Sequence, residues 1–381
     1  MAAKIERNRK FTILSCIAIL LIILGHLNYN ILEFGGLFPY YSYHVMIFVF
    51  ISGYFYKEED EQHILKFIER KAKRLLVPYF AINAVIGIII ALLHKLGFSF
   101  GGKLTIYNLL IAPFVDGHQF MLNAPGWFIP ALFMLEVCNV IGRKILSFVK
   151  IKNEYIIMLI YLALGITTVI LAQRGSVYDY YKIPGRLLFM APVLQIGRLY
   201  RAKLEEKDKI NSVLYFGIIL ILNLILCSTQ GGLAFSAVWV TSFANNPIVP
   251  YITIITGIAL WLRISEILAR IPGEHKLTDY IGSHTMEICL FHLTGWLVVG
   301  SVFYILYKYC GVFSDFDVNR FFGDVYYAYC PNGGEFYKWI YVIVSFALPL
   351  GIAFLKDKLV GKIKRQVVLI CGLLMSGKIT R

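Results

Sequence analysis

Ten apolar segments, each about long enough to cross a lipid bilayer, constrain this sequence more than any other feature. They are residues 11–27, 40–56, 75–94, 126–142, 155–172, 185–200, 212–228, 247–262, 281–307 and 338–355. A transmembrane helix needs about 20 mostly apolar residues, and several of these segments, the first two among them, are short by that measure. The pattern predicts an all-α, polytopic membrane protein with about ten transmembrane helices, forming a single domain over residues 1–381.

Composition and charge support this interpretation. The chain is 58 % hydrophobic and 16 % charged, whereas soluble domains are about a quarter charged. Its net charge of +14 would suit nucleic acid, but basic residues in a membrane protein hold loops on the cytoplasmic side, so no nucleic-acid partner is expected. With the N-terminus inside, inner segments hold 29 of the 37 Lys and Arg residues, which predicts two cytoplasmic termini. The first segment lacks a small-residue cleavage site, so it is predicted to remain as a membrane helix.

Histidines stand near the outer ends of the first two segments. His26 ends the first, and an imidazole in hydrocarbon is costly unless it has a partner or a cavity. In the second segment Tyr41, His44, Phe48 and Ser52 follow the spacing of one helical face. Because this segment runs back inward, His26 and His44 are predicted to lie at one depth and to form a catalytic pair. The alternative for His26 is a structural histidine bonded to a neighbouring helix.

A basic cluster follows the second segment. Arg70, Lys71 and Arg74 are helical neighbours, and arginine forks suit phosphates, so the cluster is predicted to bind a phosphorylated cofactor. Plain anchoring of a cytoplasmic loop is the alternative. Near the same end, Ser52 and Gly53 are small enough to admit a neighbouring helix or a thin ligand.

Two carboxylates lie inside apolar segments. Glu136 and Glu287 are functional candidates for that reason, or else partners of a basic side chain at the inner end. Glu287 is one helical turn from His284, which predicts a hydrogen bond between them. His292, further along the same segment, is predicted to pack in the core.

The outer loop at residues 308–337 is long, acidic and aromatic. Aromatic rings stack on sugars and carboxylates accept hydrogen bonds from hydroxyls, which predicts an acceptor-binding element; an aromatic belt at headgroup level is the alternative. Cys310 and Cys330 flank the loop and could pair. The seven cysteines show no zinc spacing, and no metal is expected.

Five blocks of sequence resemble the integral-membrane acyltransferase family three, and most closely its sugar O-acetyltransferase branch, the fucose O-acetylase-like proteins. The blocks are residues 22–26 (IILGH), 41–55 (YSYHVMIFVFISGYF), 71–80 (KAKRLLVPYF), 125–133 (PGWFIPALF) and 283–292 (SHTMEICLFH). The match is dense over residues 10–80, and the order of the later blocks fits the whole chain.

The resemblance implies a plasma-membrane enzyme that takes an acetyl group from cytoplasmic acetyl-CoA. The acceptor would be a hydroxyl of a cell-envelope or exopolysaccharide sugar, free, polymeric or lipid-linked. His26 corresponds to the family's essential histidine. Lys71 and Arg74, with Arg70 beside them, correspond to its basic donor-associated pair.

One position departs from the family pattern. Members often carry Arg or Lys eleven residues before the histidine, where this chain has Ser15, about 16 Å from His26 along one helix face. If that cation holds donor phosphate, another group must supply it here. Arg9, Lys10 and Arg70 are the candidates.

Residues and resemblance together predict a mechanism. His26 would act as general base on the acceptor hydroxyl, or would itself be acylated first. His44 or Trp127 would donate a hydrogen bond to the oxyanion, and Tyr41 and Trp127 are the expected acceptor-binding side chains. The rival function is a multi-pass transporter of a glycan or small polar solute, against which the lack of an inverted-repeat pattern counts. A third possibility is a structural partner of an envelope-synthesis complex.

Overall fold

The computed structural model describes residues 9–117, 120–236, 245–273 and 275–376, so both extreme termini, with their predicted cytoplasmic location, lie outside the described residues. Within these ranges the chain forms fourteen α-helices and no β-strand, which confirms the all-α prediction. The helices are α1 Arg9–His26, α2 His44–Tyr54, α3 Ile64–Lys71, α4 Val77–Lys95, α5 Ala112–Val115, α6 Phe128–Phe148, α7 Glu154–Gln173, α8 Lys182–Leu199, α9 Ser212–Gln230, α10 Val249–Ala269, α11 Lys276–Ser283, α12 Thr285–Cys310, α13 Val318–Gly323 and α14 Lys338–Ser376.

Eight helical stretches of the described residues are long and apolar enough to cross a membrane. The other two predicted spans are helical as well. Helix α2 has only 11 residues, because a 3₁₀ turn at Tyr40–Ser42 precedes it, and α8 carries three basic side chains. The protein is therefore a polytopic helical membrane protein.

Contacts between connecting segments define two ends of the bundle. Arg9 at the start of α1 donates a hydrogen bond to the carbonyl of Ile271 after α10, at 2.8 Å. Lys338 at the start of α14 donates to the carbonyl of Asn28 just after α1, at 3.2 Å. Successive spans alternate between these ends. We call the first, with residues 57–63, the basic end, and the second the His26 end.

Helix α1 lies at the centre, against α2, α10, α11 and α12, and α2 packs along α8. Two glycines bring the backbones of α2 and α8 together. A Cβ on Gly53 would lie 1.8 Å from the carbonyl oxygen of Leu194, and one on Gly197 would lie 2.1 Å from that of Phe50. Neither position admits a side chain, so this contact sets the position of α2 against α8.

The outer loop folds on itself at the His26 end. Phe316, Phe321 and Tyr329 are buried, and they pack against Phe303 and Tyr304 of α12. Most of the loop's aromatic rings therefore pack onto α12 as part of the protein's core, and only a few remain to meet a ligand.

The acidic side chains of the loop also serve its internal structure. Asp315 accepts hydrogen bonds from the Tyr329 hydroxyl and from the backbone N–H of Asn332. Asp317 caps α13 by accepting from its backbone. Cys310 and Cys330 are both free thiols, so the pairing considered for them does not form in this structure.

Candidate active site

Three histidines from three helices meet at the His26 end. The ring centroid of His26, the last residue of α1, lies 6.4 Å from that of His44 at the start of α2. It lies 5.2 Å from that of His292 in α12. His292 is buried in the core as predicted, but sequence reasoning did not place it beside His26. A histidine within a long apolar run was the available signal.

All three imidazoles are oriented in the same way. Each Nδ1 lies 2.8–2.9 Å from a backbone carbonyl oxygen three or four residues earlier in the chain. These carbonyls belong to Ile22, Tyr40 and Cys289. A carbonyl oxygen only accepts, so Nδ1 carries the proton and the neutral ring keeps a lone pair on Nε2. In this tautomer each ring can accept a proton or a hydrogen bond through Nε2.

The three rings differ in burial. His44 and His292 are buried, at 2 % and 0 % exposed, whereas His26 is half-buried. Nε2 of His292 has no hydrogen-bond partner among the described residues. A buried acceptor without a donor costs about 1–3 kcal/mol. His26 is therefore the imidazole open to a second reactant, and His292 presents an unused acceptor atom beside it.

Two tyrosines surround His26. Tyr326 of the outer loop stacks on it, with ring centroids 5.9 Å apart and ring planes 12° from parallel. Tyr41, in the turn before α2, contacts His26 edge-on, with ring centroids 6.1 Å apart. Its ring centroid lies 5.1 Å from that of His44, with the ring planes tilted by 30°. Burial raises the pKa of Tyr326 above its usual value, so its hydroxyl stays protonated at neutral pH and can donate a hydrogen bond.

Trp127 contacts groups other than the histidines. Its buried ring packs under the guanidinium of Arg186, 4.4 Å from the ring centroid, and against Phe128. No ring contact joins it to the histidines in the described part of the chain. Arg186 itself, 1 % exposed on α8, was overlooked although a basic residue in an apolar segment is a signal.

A second cluster lies toward the basic end. Lys71 donates to Oε1 of Glu136 at 2.5 Å, and the Ser52 hydroxyl donates to the same oxygen. Glu136 is 4 % exposed, and its ion pair with Lys71 agrees with the interpretation that it is the partner of a basic side chain. Ser52 and His44 both lie on α2, eight positions apart, which corresponds to about 12 Å along the axis.

The two arginines of the basic cluster differ. Arg70 pairs with Asp60 at 2.7 Å, whereas Arg74 is exposed and forms no ion pair with any described residue. Arg74 is therefore available to an anionic ligand, and Arg70 must exchange its partner to bind one.

The structure also shows how the position of Ser15 is occupied. Its hydroxyl donates to the backbone of its own helix at 2.8 Å. Of the candidate replacements, Arg9 donates to Ile271 and Lys10 pairs with Glu205 at 2.5 Å. Both cations are engaged at the basic end.

The hydrogen bond predicted between Glu287 and His284 is wrong. Glu287 accepts from Lys356 of α14, and His284 Nε2 lies 3.2 Å from a carboxylate oxygen of Asp357. The chain leaves the helical conformation at His284, between α11 and α12, so the two side chains do not share a helical turn.

Fold and site together define a multi-pass membrane protein with an imidazole cluster at one end and exposed basic side chains at the other. The chain belongs to acyltransferase family 3, whose acyltransferase domain matches residues 9–358. It is a membrane acyltransferase. Neither a curated protein nor a solved structure matches it.

Proposed function

We propose that this acyltransferase moves an acetyl group from cytoplasmic acetyl-CoA to a hydroxyl of an extracytoplasmic sugar. The acceptor class, a cell-envelope or exopolysaccharide glycan, follows from the resemblance to fucose O-acetylase-like proteins. The observation that carries the proposal is the half-buried imidazole of His26, at the opposite end of the bundle from exposed Arg74. Nδ1 of His26 is hydrogen-bonded to Ile22, and its Nε2 has no hydrogen-bond partner among the described residues. The basic end would face the cytoplasm of a cell with this protein in its plasma membrane.

The donor would enter from the basic end. Arg74, and Arg70 after it releases Asp60, would bind the phosphates of coenzyme A, with Lys71 next to them at the entrance of the bundle. The thin arm of the donor would then follow α2 from Ser52 toward His44. Its thioester would meet the acceptor at His26.

The transfer itself needs one base. Nε2 of His26 takes the proton of the acceptor hydroxyl while that oxygen attacks the thioester carbonyl carbon. The C–S bond then breaks, and the thiolate that leaves takes the proton back from the imidazolium, so the products are an acetyl ester and free coenzyme A. In the alternative, Nε2 attacks the thioester itself and passes the acetyl group on afterwards.

The acceptor would approach from the His26 end. Tyr326 and Tyr41 offer aromatic faces on which a sugar ring can stack, and Nε2 of His292 can accept a hydrogen bond from a sugar hydroxyl. These contacts would orient the acceptor without taking part in bond making.

The test uses membranes that contain wild type, His26→Ala or the control His63→Ala, in which an exposed histidine at the basic end is removed. Labelled acetyl-CoA and an envelope glycan extract are supplied, and thiol release and glycan ester are both measured. We expect His26→Ala to lose about 10²- to 10⁴-fold in transfer while it still binds coenzyme A. Full transfer by His26→Ala would refute its role, and a wild type that never consumes acetyl-CoA would refute the proposed function.

A further inference from the structure

The carboxylate of Glu136 has one oxygen in use and one that is not. Oε1 accepts from both Lys71 and Ser52. Oε2 is buried and has no hydrogen-bond partner within the ranges that the structure describes. Leaving a buried carboxylate oxygen without a donor is costly, so such an atom in a native site is suited to a donor group that arrives with a ligand.

The position of Glu136 limits which ligand that is. Lys71 ties it to the segment that carries Arg74, and Ser52 ties it to α2, the helix that leads to His44. Glu136 therefore lies between the exposed cations of the basic end and the histidine cluster. A ligand group that reaches Oε2 here must be able to donate a hydrogen bond.

We propose that Oε2 of Glu136 accepts a hydrogen bond from an amide N–H of the pantetheine arm of coenzyme A, and so guides the arm toward His26. This inference rests on the proposed function, because it takes coenzyme A as the donor. Pantetheine is a narrow chain with two amide N–H groups, either of which could donate to this single buried acceptor. Glu136 is in this view a binding residue.

The ion pair with Lys71 determines how the amide in Glu136→Gln would be oriented. The ammonium group of Lys71 has three donors and no acceptor, so it requires an oxygen opposite it. In Glu136→Gln the amide oxygen must therefore turn toward Lys71 and Ser52, and the amide NH₂ takes the position of Oε2. The variant replaces an acceptor by a donor at that position with almost no change in shape.

The experiment compares two ligands on purified full-length protein by calorimetric titration. Coenzyme A has the arm, and adenosine 3′,5′-bisphosphate has phosphates and adenine without it. We expect Glu136→Gln to weaken coenzyme A about tenfold, as befits a lost hydrogen bond to a charged acceptor, and to leave the bisphosphate within about twofold of wild type or tighter. Equal weakening of both ligands, or no weakening of coenzyme A, would overturn the inference.

Glu287→Gln is the matched control, since Glu287 is also a glutamate of a membrane helix that pairs with a lysine, but with Lys356 of α14. It should leave both affinities unchanged. A depsi analogue of coenzyme A, with ester oxygens in place of the amide nitrogens, tests the same contact in wild type and so does not depend on the folding of a variant. It should bind about tenfold more weakly than coenzyme A, and equal binding would overturn the inference.

The two proposals fail in different ways. If wild type binds coenzyme A but is indifferent to the arm, the inference about Glu136 fails and the proposed function stands. If wild type binds neither ligand, the proposed function fails and takes the inference with it.

Discussion

His292 offers a test in which the expected effects on stability and activity separate. We compare His292→Asn with His292→Gln. An asparagine amide reaches the position of Nδ1, where it can still donate to the carbonyl of Cys289, but it has nothing at the position of Nε2. A glutamine oxygen reaches the position of Nε2 and keeps an acceptor there.

The magnitude follows from the contacts of the ring. Within the described part of the chain Nε2 is a buried acceptor without a donor, so its removal returns about 1–3 kcal/mol to the folded state. The lost ring atoms leave a small gap at a position that is 0 % exposed, which costs a similar amount. We therefore expect His292→Asn to unfold within a few degrees of wild type.

Transfer should behave differently from stability. A hydrogen bond between neutral groups contributes about 0.5–1.5 kcal/mol, so His292→Asn should lower kcat/KM for the glycan about 2- to 13-fold. That loss is far smaller than the 10²- to 10⁴-fold expected when the general base His26 is removed. His292→Gln should recover most of it, because it restores the acceptor.

The assay is transfer of labelled acetyl to envelope glycan at varied glycan concentration, with thermal melting of the same preparations. The reasoning is refuted if His292→Asn transfers like wild type. It is equally refuted if both variants unfold early and lose activity in proportion, since that would make His292 a packing residue alone.

Three other perturbations test separate parts of the molecule. Gly53→Ala places a Cβ 1.8 Å from a carbonyl oxygen of α8, so its melting temperature should fall by more than ordinary overpacking of 1–3 kcal/mol causes, whereas Gly217→Ala, with open space at its Cβ, should melt like wild type. An unchanged melting temperature in Gly53→Ala would contradict the close contact. Arg74→Ala should weaken coenzyme A about tenfold and Arg70→Ala less, because Arg70 already has a partner; titration that gives the reverse order would count against this assignment. Tyr326→Ala should uncover His26 to water and raise acetyl-CoA hydrolysis without glycan, and a rate equal to wild type would show that the ring does not shield the imidazole.

The helices and the proximity of His26 to His44 were accessible from sequence because both are local properties. A membrane helix can be recognised from the length of its apolar run. In two consecutive antiparallel spans, the end of the first helix lies beside the start of the second. Helix α2 is shorter than its apolar run because Tyr40–Ser42 forms a tighter turn. Composition cannot distinguish that turn from the helix it precedes.

The remainder of the site depends on packing between distant parts of the chain. Nothing in the pattern of α12 distinguishes a histidine that fills the core from one that faces His26, and both descriptions hold for His292. In the outer loop the aromatic rings look alike in sequence, yet Phe316 and Tyr329 are buried against α12 while Tyr326 stacks on His26. Which ring faces inward is decided by the fold of the loop.

Helix α2 connects the two halves of the proposed reaction. It carries Ser52, which is hydrogen-bonded to Glu136 toward the basic end, and His44 of the histidine cluster, about 12 Å apart along its axis. Because Gly53 lies against the backbone of α8, α2 cannot slide along α8 without a clash. The separation between Ser52 and His44 is fixed by the helical geometry of α2 itself. The depth that a donor thioester reaches is then set by where its phosphates bind, so Arg74 would contribute to the rate by placing the thioester at His26 as well as by affinity.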